Sequence, residues 1–172
     1  MNPLKETYDW YRETVDSYGA AEALTLSGIA YVPYNTKSVN EIRESLIDAW
    51  SVIDDLAVIA LIAVFEAYVL REVKSLIGSN TRVFPAQDPF YRSLMKHTVD
   101  RSTRPARFKD DIIKLFQSRV PTDVIHKVRE VIEYRHWVAH GRVGRRPVRQ
   151  AEPVSTFNVL TEFLKEAGLI TG

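Results

Sequence analysis

The chain has no cysteine in its 172 residues. This excludes a disulfide scaffold and any thiolate metal site, and it fits a reducing cytoplasm. A bulk charge signature is missing too. Its 23 basic side chains against 22 acidic ones leave a formal charge of +1, so overall electrostatics point to no class of partner. Long apolar runs are absent. The strongest, Leu56 to Phe65, is ten residues long and bounded by Asp54, Asp55 and Glu66. That is half of the roughly 20 residues needed to span a bilayer, so it reads as a buried helix and no membrane is expected as a partner. The N-terminus, Met1 to Glu6, alternates charge and offers no secretory signal. Strand alternation is scarce: Gly28 to Tyr34 is the one candidate, and Pro33 within it argues for an extended loop. Internal repeats and low-complexity tracts are also missing.

What is present is helical periodicity. An apolar content of 45% suffices for one domain with its own core. Residues 3–18 predict a first helix, with Pro3 at its opening, Gly19 near its end and a tyrosine-rich stripe. Ser38 and Glu41 have the spacing of a capping box. From there a helical pattern runs to Ile77, ending at Gly78, Ser79 and Asn80. It is either one helix of roughly 60 Å or two halves, with a second start at Ser51 to Asp54. Asp88 and Pro89 open a helix to about Thr98, and Arg101 to Arg107 form a polar connection. A helix near Phe108 to Gln117 follows, then one from Pro121 that stops at Gly141. A last helix spans about Pro153 to Ala167, with Gly168 as its stop. The expectation is an all-α fold: a single bundle of about five or six helices. Residues 1–37 form an N-terminal helix and extended arm, and residues 38–172 form the body.

Chemistry concentrates between Glu133 and Arg142. Ile125, Val128, Ile132, Arg135 and Ala139 follow 3-4 spacing on one stripe, so Arg135 falls where an apolar residue belongs. A charge there must be paired or put to use. Glu66 is the single charge in the apolar stretch Ala57 to Leu70, on the stripe Ile59, Ala63, Glu66 and Leu70. A Glu66–Arg135 contact across the core is therefore expected. It reads either as a structural ion pair or as a carboxylate orienting a guanidinium toward phosphate.

His136 and His140 lie four apart on one helix face. The spacing also suits zinc, but the residues between them are Trp137, Val138 and Ala139, and no further ligands stand out. No metal and no other cofactor is expected. Between Arg135 and Arg149 there are five arginines and no acid. Of these, Arg142, Arg145, Arg146 and Arg149 form a glycine-bearing turn suited to guiding a polyanionic backbone, against the plainer reading of a solvated loop. Trp137, Tyr134 and Tyr68 could stack on bases or belong to the core. His97, His126 and the group Arg101, Arg104 and Arg107 are assigned no catalytic role.

Arg135, the polar His136, then Trp137, Val138, Ala139, His140 and Gly141 at the end of a late helix resemble the hallmark motif of the HEPN superfamily. Phe65-Glu66 similarly resembles the acidic position in an early core helix of several of its families. The resemblance covers residues 38–167. It implies a metal-independent endoribonuclease acting as a homodimer, in which two motif helices meet in a composite site. By position, Arg135 would stabilise charge on the phosphorane and His140 would move the proton, with His136 as the alternative. RNA ends would be a 2′,3′-cyclic phosphate and a 5′-hydroxyl. The family association implies a toxin or phage-defence setting and an antitoxin or regulatory protein as partner. Arg142 stands where a tyrosine marks the members silenced by nucleotide transfer, which speaks against that regulation here. The other reading consistent with the motif is a non-catalytic module that binds RNA or nucleotide or mediates dimerisation.

Overall fold

A computed structural model describes residues 1–27, 38–79, 88–100, 107–143 and 151–171. Among these residues the fold is all-α, with no strand. The order is α1 (Lys5–Leu26), α2 (Val39–Ser79), α3 (Pro89–Asp100), a π-helical turn (Phe108–Ile112), the short α4 (Ile113–Leu115), a 3-10 turn (Phe116–Ser118), α5 (Thr122–Ala139) and α6 (Pro153–Glu166). The expected loop over residues 28–34, and Arg101, Arg104, Arg145, Arg146 and Arg149, lie outside the described residues.

The helix starts follow their sequence signals. Ser38 N–H donates to the Glu41 carboxylate at 2.7 Å, and Glu41 N–H donates back to Ser38 Oγ at 3.3 Å, the reciprocal exchange of a capping box. Asp88 Oδ1 accepts from Phe90 N–H at 2.8 Å, and α6 opens on Pro153.

Of the two readings for the segment after Ser38, one continuous helix holds. α2 runs unbroken for 41 residues because its buried stripe, Val58, Leu61, Ile62, Phe65, Val69 and Val73, packs on α1, α5 and α6 at once. The first helix departs from expectation at its end. α1 continues through Gly19 to Leu26, since one interior glycine costs only about 1 kcal/mol and good helix formers follow it. The expected helix near 108–117 is likewise broken into π, α and 3-10 turns.

The core is a chain of aromatic rings bridging these elements. Phe65 meets Phe163 edge-on with centroids 5.4 Å apart, Phe163 meets Phe116 at 5.4 Å, and Phe116 meets Phe90 at 5.1 Å. α1 shares this core through the fully buried Leu4. It is fastened further by Tyr8 stacked on Phe157 at 4.2 Å and by Tyr11, whose hydroxyl donates to Asp54 at 2.9 Å. Burial and Asp54 together raise the Tyr11 phenol well above its ordinary value. Among the described residues, no helix is long and apolar enough to cross a membrane.

Candidate functional site

α5 carries its apolar stripe out of the core. Ile125, Val128 and Ile132 are buried, Arg135 is half-buried, and Ala139 is exposed. The helix ends where a glycine permits it. Gly141 has φ +71°, Gly141 N–H donates to Val138 C=O at 3.0 Å, and Arg142 N–H donates to Trp137 C=O at 2.9 Å. This pair of bonds is a Schellman motif. It makes His140 the C-cap of the helix.

The structure brings Arg135 and Glu66 together, with Nη2 and Oε2 3.7 Å apart. The location differs from expectation. Ala63, on the Glu66 stripe, is exposed, and Ile59 is only partly buried, so the pair lies at the margin of the core rather than across it. At 3.7 Å the ion pair is too long for a hydrogen bond. The Nε of Arg135 is also buried and makes no hydrogen bond among the described residues. Glu66 thus holds the guanidinium by charge rather than by a hydrogen bond.

Burial raises the Glu66 pKa above the ordinary glutamate value, and Arg135 only partly opposes this. A group whose folded pKa is raised destabilises the fold as pH climbs above its unfolded value and through its folded one. Glu66→Gln is therefore expected to melt above the parent at pH 7, with the gap closing as pH falls through the ordinary glutamate range. A variant that melts lower at pH 7 would mean that the Arg135 attraction outweighs desolvation.

Glu66 and Arg135 form part of the wall of a cleft of about 570 Å³ between the π-helical turn and α5. It is lined also by the apolar Phe108 and Ile132 and by Arg107, Lys109, Glu133 and His136. Lys109 is ion-paired to Glu133. Arg107 belongs to the group that the sequence leaves without a catalytic role, because nothing in its polar segment shows that the turn following it packs beside α5.

His136 and His140 are both exposed, with rings edge-on and centroids 4.2 Å apart, as their spacing predicts. His136 lines the cleft, and His140 stands one turn further along the same helix. Among the described residues, no group of three or more His, Asp or Glu side chains could hold a metal ion.

Two sequence expectations meet different surroundings. Arg142, grouped by sequence with backbone-contacting arginines, is ion-paired to Asp55, and its Nη2 lies 3.5 Å from Ser51 Oγ. Asp55 is only 6% exposed and also accepts from Tyr134 Oη at 2.6 Å. A buried carboxylate requires such partners, and Arg142 is the cation within its reach. Tyr134 is itself a core residue at 2% exposure, which removes it as a base-stacking platform. Trp137 and Tyr68 are partly buried against the core. Arg142 also adopts φ +61°, a left-handed conformation that costs a non-glycine residue about 1–2 kcal/mol. A sequence signal for Asp55 exists: it heads the 3-4 spacing of Val58, Ile62, Phe65 and Val69, the buried stripe of α2.

No family model, no curated protein and no solved structure matches this chain.

Proposed function

We propose that the protein is a metal-independent endoribonuclease of the HEPN type, with its site at the end of α5. The observation that carries this reading is the state of Arg135. It is a guanidinium fixed at a cleft wall by Glu66 at 3.7 Å, beside the exposed His136 on the same helix and the exposed His140 at its C-cap. A planar guanidinium at a cleft wall suits a phosphate.

In the reaction, a ribose 2′-hydroxyl attacks the adjacent phosphorus as His140 takes its proton. Arg135 stabilises the charge gathering on the phosphoryl oxygens. The bond from phosphorus to the 5′ oxygen breaks, and that oxygen gains a proton, leaving a 2′,3′-cyclic phosphate and a 5′-hydroxyl. His136 binds phosphate or supplies the second proton transfer. Arg145, Arg146 and Arg149 guide the RNA backbone on sequence grounds alone, while the Arg142 guanidinium is engaged by Asp55.

A second copy of the chain completes the site in this reading. Val52 and Leu56 are more than half exposed on α2, next to the Ser51 and Asp55 positions that meet Arg142, and they offer an apolar patch for it. Leu56→Glu is expected to shift the protein from dimer to monomer in light scattering and to lose cleavage with it. A fully active monomer would remove the composite site from the account.

Arg135→Ala tests the assignment of the guanidinium. It should lower single-turnover cleavage by roughly 10²- to 10³-fold, and Arg135→Lys should not rescue it, because an ammonium lacks the planar fork. Unchanged cleavage in either variant would overturn the role. A non-catalytic RNA- or nucleotide-binding module is the second reading. It is favoured by the near balance of charge in the cleft, where Arg107, Lys109 and Arg135 face Glu66, Asp110 and Glu133. RNA binding without any cleavage by the parent would select it.

A further inference from the structure

We infer that Asp55 is a positioning residue for the histidine pair, acting through a latch that ties the end of α5 to α2. The reach of this inference to cleavage rests on the ribonuclease reading; the latch itself does not.

The contacts converge from both sides of the helix end. Tyr134, in the last turns of α5, donates its hydroxyl to Asp55 Oδ1 at 2.6 Å. Arg142, just past the Schellman turn, grips Asp55 Oδ2. Asp55 is nearly inaccessible at 6% exposure, so both of its oxygens are committed to the segment that carries His136 and His140. One carboxylate on α2 thereby clamps that segment from before and after the histidines.

The backbone of the turn points the same way. Gly141 accounts for the reversal at φ +71°, and a Schellman turn needs no second left-handed residue after it. Arg142 nevertheless follows at φ +61°, where an L-residue is disfavoured unless its surroundings hold it. The side chain of Arg142 supplies that hold by reaching back to Asp55 and Ser51, with its guanidinium 5.9 Å from the ring centroid of Trp137. Without the latch the turn would relax, and His140, as C-cap, is the side chain with most freedom to gain. The residue that sequence grouping assigns to RNA contact thus acts mainly on the protein itself.

Three variants separate the possibilities: Asp55→Asn, Arg142→Gly and the two combined. Asparagine still accepts from Tyr134 but loses the charge that holds Arg142. Glycine keeps the left-handed turn at no steric cost but removes the latch. The expected result has three parts. The NOE between the His136 and His140 rings weakens in both single variants, and Gly141 amide exchange quickens, while Val128 and Ile132 amides stay protected. Single-turnover cleavage falls by roughly 10²-fold with RNA Kd unchanged. The double variant loses no more than either single one.

If Arg142→Gly weakens RNA binding while Asp55→Asn leaves both cleavage and the ring NOE intact, Arg142 is an RNA contact and the latch is overturned. An intact NOE in both single variants also overturns it. Should the parent cleave no RNA, the ribonuclease reading falls. The NOE and exchange measurements then still decide the latch.

Discussion

His140→Ala is expected to slow RNA cleavage by roughly 10²- to 10⁴-fold, the range for a lost general acid or base, while leaving folding and RNA affinity intact. The separation follows from where the side chain sits. His140 is exposed, is the C-cap of α5 and sits edge-on to the ring of His136. Its removal forfeits at most a helix-dipole interaction of about 0.3–1 kcal/mol. Single-turnover rates on one RNA, with melting curves and Kd measured alongside, check this. If His140→Ala keeps its rate and His136→Ala loses it, proton transfer belongs to His136. If both keep it, neither histidine moves the proton.

The largest expected effect on stability lies far from this helix end. Phe163→Ala should cost about 3–5 kcal/mol, against a typical total of roughly 5–15 kcal/mol for a domain. Phe163 is fully buried on α6 and touches Phe65 of α2 and Phe116 edge-on, each at 5.4 Å. Deleting it breaks the aromatic chain between Phe65 and Phe116. Urea unfolding should show a much lower midpoint with an unchanged slope. A loss under about 1 kcal/mol would mean that the bundle collapses into the cavity far more readily than such cores do. Because the effect is global, it also serves as a control. Loss of activity in this variant tracks the unfolded fraction, whereas loss in His140→Ala does not.

The fold is largely legible in the sequence because its signals are local. Ser38 and Glu41 mark a capping box, Asp88 and Pro89 a helix start, and Gly141 a stop, and each acts within one turn of chain. The Glu66–Arg135 pair is legible for a different reason. Each charge interrupts an apolar stripe on its own helix, and a buried charge seeks its opposite. What a stripe cannot tell is depth, so the pair sits at the core margin and not across it.

The pairing of Arg142 with Asp55 escapes notice because it depends on tertiary packing. It needs α2 to continue unbroken through residues 51–55 and α5 to end beside it, and no local spacing encodes either. In the sequence Arg142 belongs to an arginine cluster; in the structure its guanidinium is also ion-paired to the buried Asp55. The cleft contribution of Arg107 is hidden for the same reason, since it depends on how the π-helical turn docks on α5.

Metal-independent cleavage by Arg135 and the histidines is read from the chemistry of the RNA ends. Purified protein is incubated with single-stranded RNA in excess EDTA, and the termini of the products are identified. The expected result is cleavage without metal, leaving 2′,3′-cyclic phosphate and 5′-hydroxyl ends, and loss of that cleavage in Arg135→Ala. No cleavage, or cleavage that needs a divalent cation and leaves 5′-phosphates, would contradict it.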